Sequence, residues 1–158
     1  MHTQKHTTGI IPISCIAAAL ACAAVGACTP SPEPEEAVRL WVNDAQAAVE
    51  EQDRNGLMEM ISESYVDARG NDRSDLEQML RIWFLRNRNA VVVSRIDDLT
   101  VVGDTAAHVL LTVGMAGTGD GVLGLTADAW RFELELENGG DRWVLIGARW
   151  AELGEDLR

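Results

Sequence analysis

The sequence predicts an α+β domain with its helices gathered on one face of an antiparallel sheet, because two patterns follow one another along the chain. Apolar residues recur at helical spacing from about 35 to 87, and valine- and leucine-rich runs of strand length then fill 90–151. The breaks between those runs are hairpin chemistry: Gly103-Asp104, a glycine-rich stretch at 117–124, and Asn138-Gly139-Gly140-Asp141. With 158 residues, 47% of them hydrophobic, the chain suffices for one core plus accessory segments. A net charge of −12 argues against nucleic acid as a partner.

The first helix is predicted over 35–52, where Val38, Trp41, Ala45, Ala48 and Val49 fall on one face. Asp53-Arg54-Asn55-Gly56 interrupts it, and Leu57, Met58, Met60 and Ile61 suggest a short second helix. A brief strand around Tyr65 is expected at 64–67. Ser74-Asp75-Leu76-Glu77 has the form of a capping box, and Leu76, Met79, Leu80, Trp83 and Phe84 continue as a third helix ending near Asn87. Strands are expected at 90–102, 106–116, 125–137 and 142–151.

Before this domain, residues 1–8 carry the chain's only lysine, Lys5, and an alanine-rich apolar run follows from Ile10 to Ala27. This is a signal-peptide profile. It ends in Val25-Gly26-Ala27-Cys28, which resembles the lipobox of bacterial lipoproteins, in which the thiol receives diacylglycerol before cleavage on its N-terminal side. An ordinary secretory signal cut after Ala27 is the alternative; an uncleaved anchor would be short against the roughly 20 residues a span needs. Cleavage before Cys28 removes Cys15, Cys22, His2 and His6, so Cys28 has no disulfide partner and His108 is the one remaining histidine. No metal site, His-based triad or cofactor is expected from that inventory. Residues 28–36 put three prolines among acids and read as an extended tether of about 25 Å. The body then occupies 37–152, with a tail at 153–158. Because Thr29 is not the aspartate that retains lipoproteins in the inner membrane, the resemblance implies anchoring in the outer membrane, facing the periplasm.

The order of elements, with Asp53-x-x-Gly56-Leu57 entering the second helix, Tyr65-x-Asp67-x-x-Gly70 before the third, and Trp143-x-Leu145-x-x-Ala148-x-Trp150 in the last strand, resembles the NTF2-like superfamily. That superfamily includes ketosteroid isomerase and SnoaL-type cyclases. The resemblance implies a cone in which a curved sheet wraps the helices around a pocket, and an outer sheet face that dimerises.

Alternation in the third strand puts Trp130, Phe132, Leu134 and Leu136 inward. A tight turn at Gly139-Gly140 would set Leu134 opposite Leu145, Phe132 opposite Gly147 and Trp130 opposite Arg149. Asp128 then lies diagonal to Arg149, so Asp128, Trp130 and Arg149, with Tyr65 and Trp83, are the ligand-pocket candidates; the alternative is a structural ion pair at the sheet rim. The arginine would depress the Asp128 pKa, which opposes a general-base role. A tyrosine that is a core residue is the alternative for Tyr65. Asp67, Asp72 and Arg73 are expected in turn and capping contacts, and His108 should point outward. The glycine-rich stretch lies between two strands, so no helix N-terminus is available there for a phosphate. The last strand is apolar on both faces, which makes Leu110, Val144, Ile146 and Trp150 candidates for a homodimer face. Three functional readings follow: a module binding a small apolar ligand or envelope partner, an isomerase- or lyase-type enzyme, and a structural dimer.

Overall fold

The computed structural model describes residues 32–87, 91–118, 125–140 and 142–157. Helix α1 (Pro34–Glu50) starts inside the segment expected to be tether. Pro34 sits in its first turn, where the missing N–H costs nothing and the fixed φ already suits a helix. Val38 and Val42 are its buried residues. Asp53 caps α2 (Arg54–Glu59) by accepting the Gly56 N–H at 3.0 Å.

Helix α3 (Arg73–Arg86) starts one residue before the expected cap. Asp72, not Ser74, is the N-cap: its carboxylate accepts from Ser74 N at 2.8 Å and Asp75 N at 3.0 Å, and Asp75 accepts back from Asp72 N at 3.2 Å. Arg73 ties this end to the preceding loop, donating to the carbonyls of Met58 at 2.8 Å and Ile61 at 3.3 Å.

Strands β1 (Val91–Val102), β2 (Ala106–Thr118), β3 (Leu125–Asn138) and β4 (Trp143–Glu152) form an antiparallel meander in sequence order. Its inner face carries Val109, Leu111, Val113, Leu134 and Leu136 onto the helices, and the core closes around them with Val38, Val42 and Tyr65. The segment 64–67 is not a strand; the chain from 61 to 68 runs along the outer edge of β4, with isolated bridges from Ile61 to Leu145 and from Val66 to Asp72. Ser62, Val66 and Ala68 donate to the carbonyls of Leu145, Ile146 and Ala148. That edge is thereby shielded from strand addition.

The β3–β4 register differs from the expected one. The first pair is Asn138 with Trp143, so Leu136 and not Leu134 faces Leu145, a two-residue offset that keeps each side chain on its expected face; then Glu135 faces Gly147 and Leu134 faces Ala148, so Ile146 is an extra, bulged residue. The cause lies at the edge: Leu145 and Ile146 are consecutive, yet both carbonyls accept from the 62–66 loop, and regular pleating cannot aim two successive carbonyls the same way. Gly147 helps, because a Cβ there would stand 3.5 Å from the Val66 carbonyl and 3.3 Å from Glu135 Oε2. Beyond the bulge every β4 side chain changes face.

Candidate functional site

Between α1, α3 and the inner face of the sheet lies a cavity of about 330 Å³. Trp41 and Gln46 approach it from α1, Leu80 and Trp83 from α3, and Ser94, Val113 and Phe132 from the sheet. Its size is at the lower end of small-molecule pockets. No acid, base, tyrosine, histidine or cysteine is among the described lining residues.

The polar groups on the wall are few and partly committed. Gln46 Oε1 accepts from both Ser94 N at 3.0 Å and Ser94 Oγ at 2.7 Å, tying α1 to β1. One turn further on, Glu50 Oε1 accepts the Val92 N–H at 2.9 Å. These bonds substitute for a missing strand neighbour of β1 and hold α1 against the sheet edge at the cavity. Trp41 Nε1 is buried with no acceptor among the described residues.

Of the residues expected at a pocket, Trp83 lies on the cavity wall. Tyr65 does not: it is 2% exposed in the core. Burial first, and then the neighbouring Asp67 carboxylate, push its phenol above the ordinary tyrosine range. Asp67 is itself buried and organises the turn, accepting from Arg69 N at 2.8 Å, Asn71 N at 2.9 Å and Asn71 Nδ2 at 2.8 Å. Trp130 is half-buried opposite Val113 and Glu152, away from the described lining.

Asp128 and Arg149 do not meet. Asp128 is exposed opposite Met115, whereas the bulge turns Arg149 to the other face, where its guanidinium bonds Glu133 at 2.7 Å. The same flip removes Trp150 from the expected dimer face. Its ring stacks on Phe132 at 6.3 Å, and the Arg69 guanidinium lies 4.7 Å from its centroid. Leu110, Val144 and Ile146 are half-buried rather than exposed. The outer face near them is charged, with Glu133, Glu135, Glu137 and Arg149 across β3 and β4. His108 is exposed opposite Glu135. Trp41, Gln46, Ser94 and Phe132 are lining residues that the sequence did not single out as a site. A signal existed for Gln46, which lies four residues from Val42 and three from Val49 on the buried side of α1.

No family model and no curated protein matches the sequence. Solved structures do match. A dehydratase candidate of the NTF2-like family from Streptomyces avermitilis superposes with a TM-score of 0.67 at 13% identity, covering 78% of this chain and 100% of that one. A ketosteroid isomerase-like protein from Erwinia carotovora atroseptica gives 0.63 at 10% identity, over 78% and 98% of the two chains. A type 2 hexachlorocyclohexane dehydrochlorinase gives 0.63 at 11% identity, over 78% and 87%. The chain has the NTF2-like cone fold, whose members include dehydratases and isomerases. Identities this low speak to the fold alone.

Proposed function

We propose that this is a lipid-anchored protein of the cell envelope whose NTF2-like domain binds a small apolar ligand without transforming it. The observation that carries the reading is the cavity wall, whose surface is apolar, Gln46 and Ser94 being spent on each other, with no described titratable group on it. Acid–base chemistry needs such a group within hydrogen-bond reach of the substrate. The ligand that fits is an apolar body, because the wall offers it almost no polar atom: Gln46 Oε1 is already used on Ser94, and Trp41 Nε1 is buried. Anchoring through Cys28, with outer-membrane placement facing the periplasm, is supported by the Val25-Gly26-Ala27-Cys28 sequence. A homodimer would use the β1–β2 part of the outer face, where Val91 and Val93 are exposed beside Ala116 and Gly114.

The names of the structural neighbours favour a second reading, an isomerase- or lyase-type enzyme. Native mass spectrometry of the full chain, purified from its membrane in mild detergent, separates the possibilities. The binding reading predicts a retained apolar molecule of a few hundred daltons that leaves the protein unaltered and, for the dimer, a doubled mass. An empty chain that takes up no apolar compound would overturn it.

A further inference from the structure

Helix α3 is apolar on two sides. Leu80 and Trp83 line the cavity, while Met79, Ile82 and Leu85 face solvent, Leu85 at 66% exposure. At 3.6 residues per turn, Gln78, Ile82 and Leu85 share one exposed strip, and Arg81 and Arg86 fall about 70° to either side of it. Neither arginine has an ionic partner among the described residues. The charge setting is unusual for this chain. From Gln78 to Ile96 there is no aspartate or glutamate and there are four arginines, in a protein of net charge −12. The acids that bound this stretch in sequence are paired: Glu77, on α3 itself, faces Arg54 at 3.4 Å, and Asp97 on β1 holds Arg95 at 2.7 Å.

An apolar strip bordered by unpaired arginines matches an anionic lipid surface, with the aliphatic side chains entering the acyl boundary and the guanidinium groups lying among phosphates. We infer that the outward face of α3, centred on Ile82 and Leu85 and flanked by Arg81 and Arg86, docks on a membrane surface of anionic phospholipid. This goes beyond the cavity reading and does not rest on it. Its consequence is that the docked helix carries the cavity wall on its opposite side, so that Leu80 and Trp83 stand one helix diameter from the bilayer.

The experiment is amide hydrogen exchange of the full chain on vesicles of phosphatidylcholine alone and of phosphatidylcholine with phosphatidylglycerol. Any contact made by the N-terminal segment is present on both, so the contrast reads head-group charge. Amides of α3 from Met79 onward should exchange several-fold more slowly on the anionic vesicles, and the difference should vanish at high salt. Each arginine near such a surface contributes about fivefold in partitioning, so Arg81→Ala with Arg86→Ala should reduce the preference about 25-fold. Leu85→Glu, at an exposed position, should abolish it while leaving exchange in the sheet unchanged. Trp83→Ala should impair cavity binding but not docking. Equal exchange on both vesicles would overturn the inference. So would protection without vesicles that grows with protein concentration, which would assign this face to a second copy of the chain.

Discussion

Raising the pH past the ordinary tyrosine value should destabilise this protein through one side chain. Tyr65 is the only tyrosine, and it is 2% exposed. Burial and the Asp67 carboxylate both disfavour its phenolate, so its pKa in the folded chain is raised. Below about pH 10 the folded and unfolded chains both hold the phenolic proton, and the contribution is fully present. Above it the unfolded chain releases the proton and the folded chain keeps it, so stability falls as pH rises, by about 1.4 kcal/mol per unit until the folded group titrates. Between about pH 10 and 11.5 the loss is about 2 kcal/mol. The window is clean, because Lys5 is the only lysine and arginine keeps its charge there. Urea midpoints across the window should fall in the wild type and stay nearly flat in Tyr65→Phe, and near-ultraviolet absorbance should show no tyrosinate until the protein unfolds. A native-state tyrosinate midpoint near 10, or the same slope in Tyr65→Phe, would show that Tyr65 is not the group responsible.

Other changes test the local geometry. Asp72→Ala removes the cap of α3 and should cost about 1 kcal/mol in urea denaturation, whereas Ser74→Ala should cost less than about 0.5 kcal/mol. Trp150→Glu should lose about 3 kcal/mol or more of stability, since it takes a ring off Phe132; a variant as stable as wild type that merely sediments as a smaller species would return Trp150 to the outer face. Val93→Glu, at a 63% exposed site, is the variant expected to dissociate a dimer without unfolding it. A double-mutant cycle on Glu133 and Arg149 should give a coupling of about 0.2–1 kcal/mol, as for other partly exposed pairs.

The order and type of the elements were legible because each rests on a period that survives folding: the Val38, Trp41, Ala45 set in α1, and the strict alternation of Trp130 to Glu137 in β3. The bulge at Ile146 was not. Residues 143–150 are apolar on both faces, so the pattern cannot report which residue is extra; the deciding contacts come from the 62–68 loop, far away in sequence. That one shift misplaces Arg149 and Trp150, and with them the expected ion pair and dimer face. The cap of α3 was ambiguous because Asp72-x-x-Asp75 and Ser74-x-x-Glu77 both have the required form, and Arg73 anchoring to Met58 and Ile61 selects the first. The cavity arises from the space left between a sheet and the helices standing off it. Periodicity marks Leu80, Val113 and Phe132 as inward-facing, but whether inward means packed or lining a void is settled by tertiary spacing.

The central claim, an apolar binding cavity, is tested most directly by titrating a fluorescent apolar probe such as N-phenyl-1-naphthylamine into wild type and Leu111→Trp. Leu111 is 6% exposed and on the cavity wall, so the indole should enter the void rather than overpack a filled core, where it would cost about 1–3 kcal/mol. Saturable one-to-one binding to the wild type is expected, with about 2.7 kcal/mol of added stability at a hundredfold excess over Kd. Binding should be lost in a Leu111→Trp protein that is still folded. Probe binding that is unsaturable, or unchanged in the filled variant, would contradict it.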